Sequence, residues 1–176
     1  EIRYEEVMKL QVENGINIVT TDTGTYGSHA VILAAGAEPK KLGVPGEKEF
    51  YGKGVSYCAT CDGAFFRGKD VVVVGGGDSA ITEAIFLTKY ANTIQIIHRR
   101  DEFRATKIYL DEAFSNPKIK VVLNTVVESI HGQEKVDGVV VQNMVTKEKQ
   151  DIPCQGAFIF IGSIPNTGFL GNLLCV

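Results

Sequence analysis

Four valines at 71–74 run directly into Gly75, Gly76 and Gly77, and a segment with helical periodicity follows without a break. Such a string reads as a buried strand, a tight turn and a helix. Gly75, Gly77 and Ala80 fit the spacing G-x-G-x-x-G/A. Glycine at 75 permits the turn, glycine at 77 lets backbone approach a pyrophosphate, and Ala80 lets the helix close on the strand. The helix is read over 79–90, where Ile81, Ala84, Ile85 and Leu87 share one face. Its first N–H groups have no helical partner and carry partial positive charge, which suits phosphate. A glycine-rich turn is often no more than a turn. The strand before it and the helix after it favour a dinucleotide site, with Gly75, Gly76, Gly77, Asp78 and Ser79 as candidate cofactor-binding residues. A strand at 94–97 and a helix at 105–115, stopped by Asn116 and Pro117, continue the alternation. The fold class expected is α/β, a Rossmann-like dinucleotide-binding domain.

Elsewhere the period is two. Segments 120–123, 126–130 and 136–144 read as strands of an antiparallel β-meander, with a charged turn at 147–150. Residues 157–161 read as a buried strand ended by 162–165. Before the glycine turn, strands are expected at 7–12 and 16–20, with turns at Asn14-Gly15 and Thr23-Gly24. The apolar run 30–34 is expected to be a buried strand. Seven Gly and Pro residues between 36 and 54 read as a connection between domains.

The 176 residues suffice for one full domain and a remnant of another, and 44% hydrophobic with 22% charged residues gives an ordinary globular core. A net charge of -3 gives no attraction for phosphate backbones, so nucleic acid is not an expected partner. The longest apolar stretches are too short to span a bilayer, and no membrane association is expected. The chain starts at Glu1 without a signal pattern, so it is expected to be a cytoplasmic protein trimmed at its ends.

An NAD site places Asp or Glu about 20 residues beyond the glycines, on the ribose 2′-OH. This chain has His98, Arg99 and Arg100 there, then Arg104. Guanidinium groups clamp a 2′-phosphate with forked, charge-assisted hydrogen bonds. Two such bonds favour NADP over NAD by about a hundredfold after desolvation. The alternative is a solvated basic segment paired with Asp101 and Glu102. At the tip of the second strand of a Rossmann unit, the phosphate clamp is the stronger reading.

Cys58, Ala59, Thr60 and Cys61 form C-x-x-C, followed by Asp62. The pair reads as a zinc half-site, a redox dithiol or two buried thiols. Zinc needs two further ligands, and Cys154, Cys175, His98 and His131 offer no second knuckle, so no metal site is expected. A dithiol flanked by turn glycines favours exchange. Asp62 can donate or accept the proton that exchange moves.

The string from Cys58 to Gly63 closely resembles the active site of the low-molecular-weight, bacterial-type thioredoxin reductases. Residues 98–105 look like that family's H-R-R-x-x-F-R-A signature. Residues 34–39 resemble its A-T-G-A-x-P loop with Ala35 for Thr, and 160–167 resemble the segment returning to its FAD domain. The resemblance implies an FAD/NAD-linked reductase fold. Residues 1–41 would be a partial FAD-domain segment, 42–156 the NADPH domain carrying the C-x-x-C, and 157–176 the start of the return segment. It implies hinges near Leu42 and 151–155, and adds Ile161 and Gly162 to the cofactor-binding residues. It also implies that NADPH reduces FAD, that the flavin reduces the cysteine pair, and that the pair reduces thioredoxin. Cys58 and Cys61 would be the catalytic dithiol, Cys61 nearer the flavin, with Asp62 as acid–base. Family members are homodimers. No second G-x-G-x-x-G precedes Cys58, so this chain alone is expected to bind NADP(H), to lack FAD and not to turn over. The runner-up is the flavoprotein reductase of the alkyl hydroperoxide system, which favours NADH. Outside those enzymes stand a non-catalytic NADP(H)-sensing module and a zinc-stabilised interaction domain.

Overall fold

The valine run lies in a strand, Asp70–Gly75, whose side chains alternate between two cores. Val71 and Val73 enter one, Val72 and Val74 the other. That alternation, forced by the pleat, makes a three-layer body. The computed structural model describes residues 1–171 and 173, and divides into two compact units, Glu1–Glu38 with Ser163–Val176, and Pro39–Gly162.

In the first unit, β1 (Val7–Glu13), β2 (Ile16–Thr21) and β3 (Thr25–Ser28) form an antiparallel sheet in that order. Asn14 and Gly15 turn β1 into β2 with φ of 50° and 78°. A short strand β4 (Ala37–Pro39) follows. The run 30–34, expected as a buried strand, is neither strand nor buried, and Ile32 is 94% exposed. No strand pairs with it among the described residues, so its backbone joins no ladder.

The second unit begins with β5 (Val55–Ser56), a four-residue helix α1 (Ala59–Asp62), β6 (Asp70–Gly75) and α2 (Asp78–Leu87). It continues through β7 (Thr93–Ile97), α3 (Lys107–Ser115) and β8 (Ile119–Val122). The antiparallel strands β9 (Thr125–Gly132), β10 (Val136–Asn143) and β11 (Lys149–Pro153) come next, then β12 (Gly156–Phe160). The last strand of the chain, β13 (Ser163–Pro165), belongs to the first unit and pairs with β4.

The central sheet is parallel, in the order β5-β12-β6-β7-β8. On one face α1, α2 and α3 bury Val71, Val73, Ile94, Ile96 and Phe158 against Ala80, Ile81, Ala84 and Leu87. On the other, the meander packs Val127, Ile130, Val139, Val141 and Ile152 onto Val72, Val74, Ile97, Ala157 and Ile159.

Three expectations change here. Residues 120–122 belong to β8, a parallel edge strand of the central sheet rather than the meander, and Leu123 follows it outside any strand. The charged stretch 147–150 runs into β11, which pairs with β10 and buries Ile152 alone. Residues 157–160, assigned to the return segment, lie in β12 between β5 and β6, so the unit runs on to Gly162. The proposed hinge positions fall inside this unit. Leu42 and Gly43 donate their N–H groups to the buried Glu47 carboxylate at 2.8 and 2.7 Å, and Gln155 N–H donates to Asp70 O at 2.8 Å.

Candidate functional site

Parallel strands end together, and ligands in such sheets collect beyond their carboxyl ends. Here β6 ends at Gly75 and β12 at Phe160, and between them opens a cavity of about 560 Å³. Gly75, Gly76, Gly77, Asp78 and Ser79 line it, with His98, Arg99, Arg104, Ile161 and Gly162. Gly75 has φ 151°, and a side chain there would strike the Phe160 carbonyl and come within 2.8 Å of Ala80 Cβ. Glycine and Ala80 together therefore let α2 close onto β6. At Gly77, by contrast, an added Cβ meets nothing within 4 Å, so that backbone faces open space. Gly77 is also the N-cap of α2 and has no side-chain cap, which leaves the first N–H groups for a ligand. Asp78 lines the cavity and also accepts from Thr106 N–H and Oγ1 at 2.6 and 3.2 Å, tying α2 to the segment before α3.

The basic residues divide. Arg99 and Arg104 line the cavity; Arg100 is exposed and does not. None of the three forms a salt bridge among the described residues. Asp101 and Glu102 therefore leave the guanidinium charge uncompensated. His98 is buried, its ring stacked 5.1 Å from Phe103, with Nε2 at 3.0 Å from the Glu102 carbonyl. Burial pushes its pKa below the usual imidazole value, and the charges of Arg100, Arg104 and Arg99 push the same way against the Glu102 hydrogen bond. A side chain at Gly76 would collide with that ring. His98 thus packs beneath the turn, where its surroundings disfavour the charged ring.

Cys58 and Cys61 are joined by a disulfide, with Cys61 exposed. The pair follows β5, which runs parallel to β12 and β6 and lies two strands from β6, so it belongs to the same carboxyl end of the sheet as the glycine turn. Cys58 caps α1 and its Sγ accepts the Cys61 N–H at 3.1 Å. Asp62 is half-buried, and its Oδ2 accepts from the Ser56 hydroxyl at 2.6 Å. Beside α1, Glu83 of α2 has a buried oxygen without a partner. Burial raises its pKa, eased only by the Ala59 backbone N–H. Cys154 is buried and free, its thiol pushed up to about 12 by desolvation. Cys175 lies outside the described residues. Among those residues no group of potential metal ligands gathers.

Sequence reasoning missed Ser56 and Glu83, and the lining residues Lys40, Leu42, Val44, Thr125, Val126 and Val127. Lys40 is the one with a local signal, a cation directly after the Ala37-Glu38-Pro39 loop. Leu42 and Val44 come from the segment before β5, Thr125, Val126 and Val127 from the meander strand β9, Ser56 from β5 and Glu83 from α2.

The family described as pyridine nucleotide-disulphide oxidoreductase matches residues 2–175. The chain is 46% identical over 170 residues to a thioredoxin reductase of Treponema pallidum, covering 97% of this chain and 55% of that protein. It is 44% identical to a bifunctional thioredoxin reductase/thioredoxin of Mycobacterium leprae, over 99% of this chain and 38% of that one. Among solved structures, Lactococcus lactis thioredoxin reductase superposes with a TM-score of 0.89 at 38% identity, covering 97% of this chain and 57% of that chain. The chain spans about half the length of the curated relatives it matches.

Proposed function

The chain belongs to the pyridine nucleotide-disulphide oxidoreductase family, and we propose that it is the NADP(H)-binding, dithiol-carrying part of a thioredoxin reductase. In the complete enzyme, NADPH would reduce the disulfide of thioredoxin or a thioredoxin-like protein through FAD and the Cys58/Cys61 pair. The observation that carries the reading is one end of one sheet bearing both a Cys58–Cys61 disulfide and a cavity lined by the glycine turn, Arg99 and Arg104.

The cavity residues fit NADP(H). Gly77 and the uncapped start of α2 would take the pyrophosphate, Arg99 and Arg104 the 2′-phosphate, and Gly75 with Gly162 would leave room at the strand ends. When bound, NADPH would supply a hydride, whose electrons would reach sulfur through FAD in the complete enzyme. Within this chain Cys58 and Cys61 store the two electrons as a dithiol. Asp62 holds or releases the proton that thiol–disulfide exchange moves.

Residues 1–38 and 163–176 would then belong to the FAD-binding part, and the complete enzyme would act as a homodimer in the cytoplasm. Among the described residues no helix is long and apolar enough to cross a membrane. The arginines also favour this reading over the NADH-preferring reductase of the alkyl hydroperoxide system.

Titration of the chain with NADPH and NADH side by side tests the reading. NADPH is expected to bind about a hundredfold tighter. A preference for NADH would move the assignment to the hydroperoxide system, and binding of neither would remove it.

A further inference from the structure

Ser56 plays no part in the resemblance, yet it is the best-placed polar group beside the dithiol. It is 2% exposed, at the end of β5, where the parallel register sets it beside Phe158 of β12. A serine buried in a sheet costs stability unless its hydroxyl is satisfied, and this one is satisfied three ways. It donates to Asp62 Oδ2 at 2.6 Å and accepts the Cys58 N–H at 3.1 Å. The Cys58 carbonyl, at 3.2 Å, is a second acceptor within its reach. That carbonyl also accepts the Asp62 N–H at 3.1 Å, so hydroxyl, carboxylate and the first cysteine's backbone close into one ring.

A hydroxyl has one proton and two lone pairs. Here the proton has two acceptors, and which one it chooses depends on Asp62. With the carboxylate ionised, the charge-assisted bond to Oδ2 wins. With the carboxyl protonated, its own O–H can donate to Ser56 Oγ, and the serine proton turns to the Cys58 carbonyl. No buried group is orphaned in either state. We propose that Ser56 is a positioning residue that holds Asp62 through both halves of its proton cycle. The proposal rests on the reading of Cys58, Cys61 and Asp62 as the exchanging set.

The step it serves balances as follows. One thiol of the reduced pair gives its proton to Asp62 and attacks an external disulfide. That S–S bond breaks, a mixed disulfide forms, and the departing sulfur takes the proton from Asp62. The second thiol then attacks the mixed disulfide and closes Cys58–Cys61. Its proton goes to the second departing sulfur, and two electrons have passed to the partner. Glu83 also faces α1, across the Ala59 N–H, and Tyr90 lies beside Gly63 at its C-terminal end.

The test follows the pre-reduced chain oxidised by a chromogenic aromatic disulfide across a pH series. A variant with both Cys58 and Cys61 changed to Ser measures thiols outside the pair. Ser56→Ala should slow exchange about tenfold, the worth of one hydrogen bond to a charged group. It should also move the limb of the pH–rate profile that Asp62→Asn abolishes, and should slow the Asp62→Asn background less than twofold. Should the alanine variant not fold, Ser56→Thr against the isosteric Ser56→Val makes the same comparison, with Thr retaining the faster rate. Equal rates for the wild type and Ser56→Ala, or the same tenfold loss in the Asp62→Asn background, would overturn the proposal and leave the dithiol reading standing. A wild-type chain that exchanges no faster than the double-serine variant would remove both.

Discussion

Arg99 and Arg104 face the cavity with no carboxylate partner among the described residues, which leaves their charge for a ligand. Arg99→Ala and Arg104→Ala should each weaken NADPH binding about tenfold and NADH binding less than twofold, as one charge-assisted bond to the 2′-phosphate is lost. Arg100→Ala should cost NADPH about threefold at most, through screened charge alone. Isothermal calorimetry on the three variants checks this, and equal losses for both nucleotides would place the arginines elsewhere. His98 makes a different prediction. Its folded pKa is lowered, so the unfolded chain binds the proton more readily, and its contribution to stability is present above the unfolded value near 6.5 and is lost as pH falls through that value toward the folded one. The urea midpoint should therefore drop between about pH 7 and pH 5, and drop less in His98→Gln, whose neutral side chain has nothing to titrate. A wild-type slope no steeper than the variant's would count against burial of a neutral ring.

The corner from β6 to α2 separates a glycine that packs, Gly75, from a glycine left open to the cavity, Gly77. Gly75→Ala combines φ 151° with a collision against the Phe160 carbonyl, and should cost about 3 kcal/mol of stability or more. Gly77→Ala meets no atom within 4 Å and its φ of -101° suits any residue, so the melting midpoint should hardly change. Its methyl nevertheless stands in the cavity, and NADPH affinity should fall about tenfold. Thermal unfolding and nucleotide titration of the pair check both halves. This corner was legible in the sequence because two signals coincide there, a run too apolar for an exposed strand and glycines at fixed offsets. Other elements carried one signal or none. β8 is four residues with Lys120 and Val121 exposed, and nothing local distinguishes a parallel edge strand from a meander strand. β11 hides behind Lys149, Gln150 and Asp151, since only Ile152 faces the core. The run 30–34 misled in the opposite sense, because apolar composition records a tendency to be covered and cannot supply the covering strand. In the site, the cysteines, Asp62 and the arginines were readable as types at fixed spacing. Ser56 was not, because its position beside Asp62 depends on the short helix α1 folding the chain back.

The division of buried side chains between the two units sets what can fold alone. Both hydrophobic clusters, the helix-side core around Val73, Ile81 and Phe158 and the meander-side core around Val72, Val139 and Ile159, lie wholly within Pro39–Gly162. In the other unit Leu10 and Leu170 are the buried apolar side chains among the described residues, while Ile2, Tyr4 and Ile32 stand exposed. Hydrophobic burial dominates folding, so stability should reside almost entirely in the larger unit. A chain of residues 39–162 should therefore unfold cooperatively, with coincident near-UV dichroism and fluorescence transitions, at a midpoint within a few degrees of the whole chain's. Every cavity residue and the whole Cys58–Cys61–Asp62–Ser56 set fall inside it. It should accordingly bind NADPH within about twofold of the longer chain's affinity, and exchange its disulfide at the same rate. The fragment 1–38 should show no cooperative transition, because one three-stranded sheet with a single buried leucine cannot offset its chain entropy. Non-coincident transitions in 39–162, or NADPH affinity that returns only when 1–38 and 163–176 are restored, would mean that the cavity borrows its rigidity from outside its own lining.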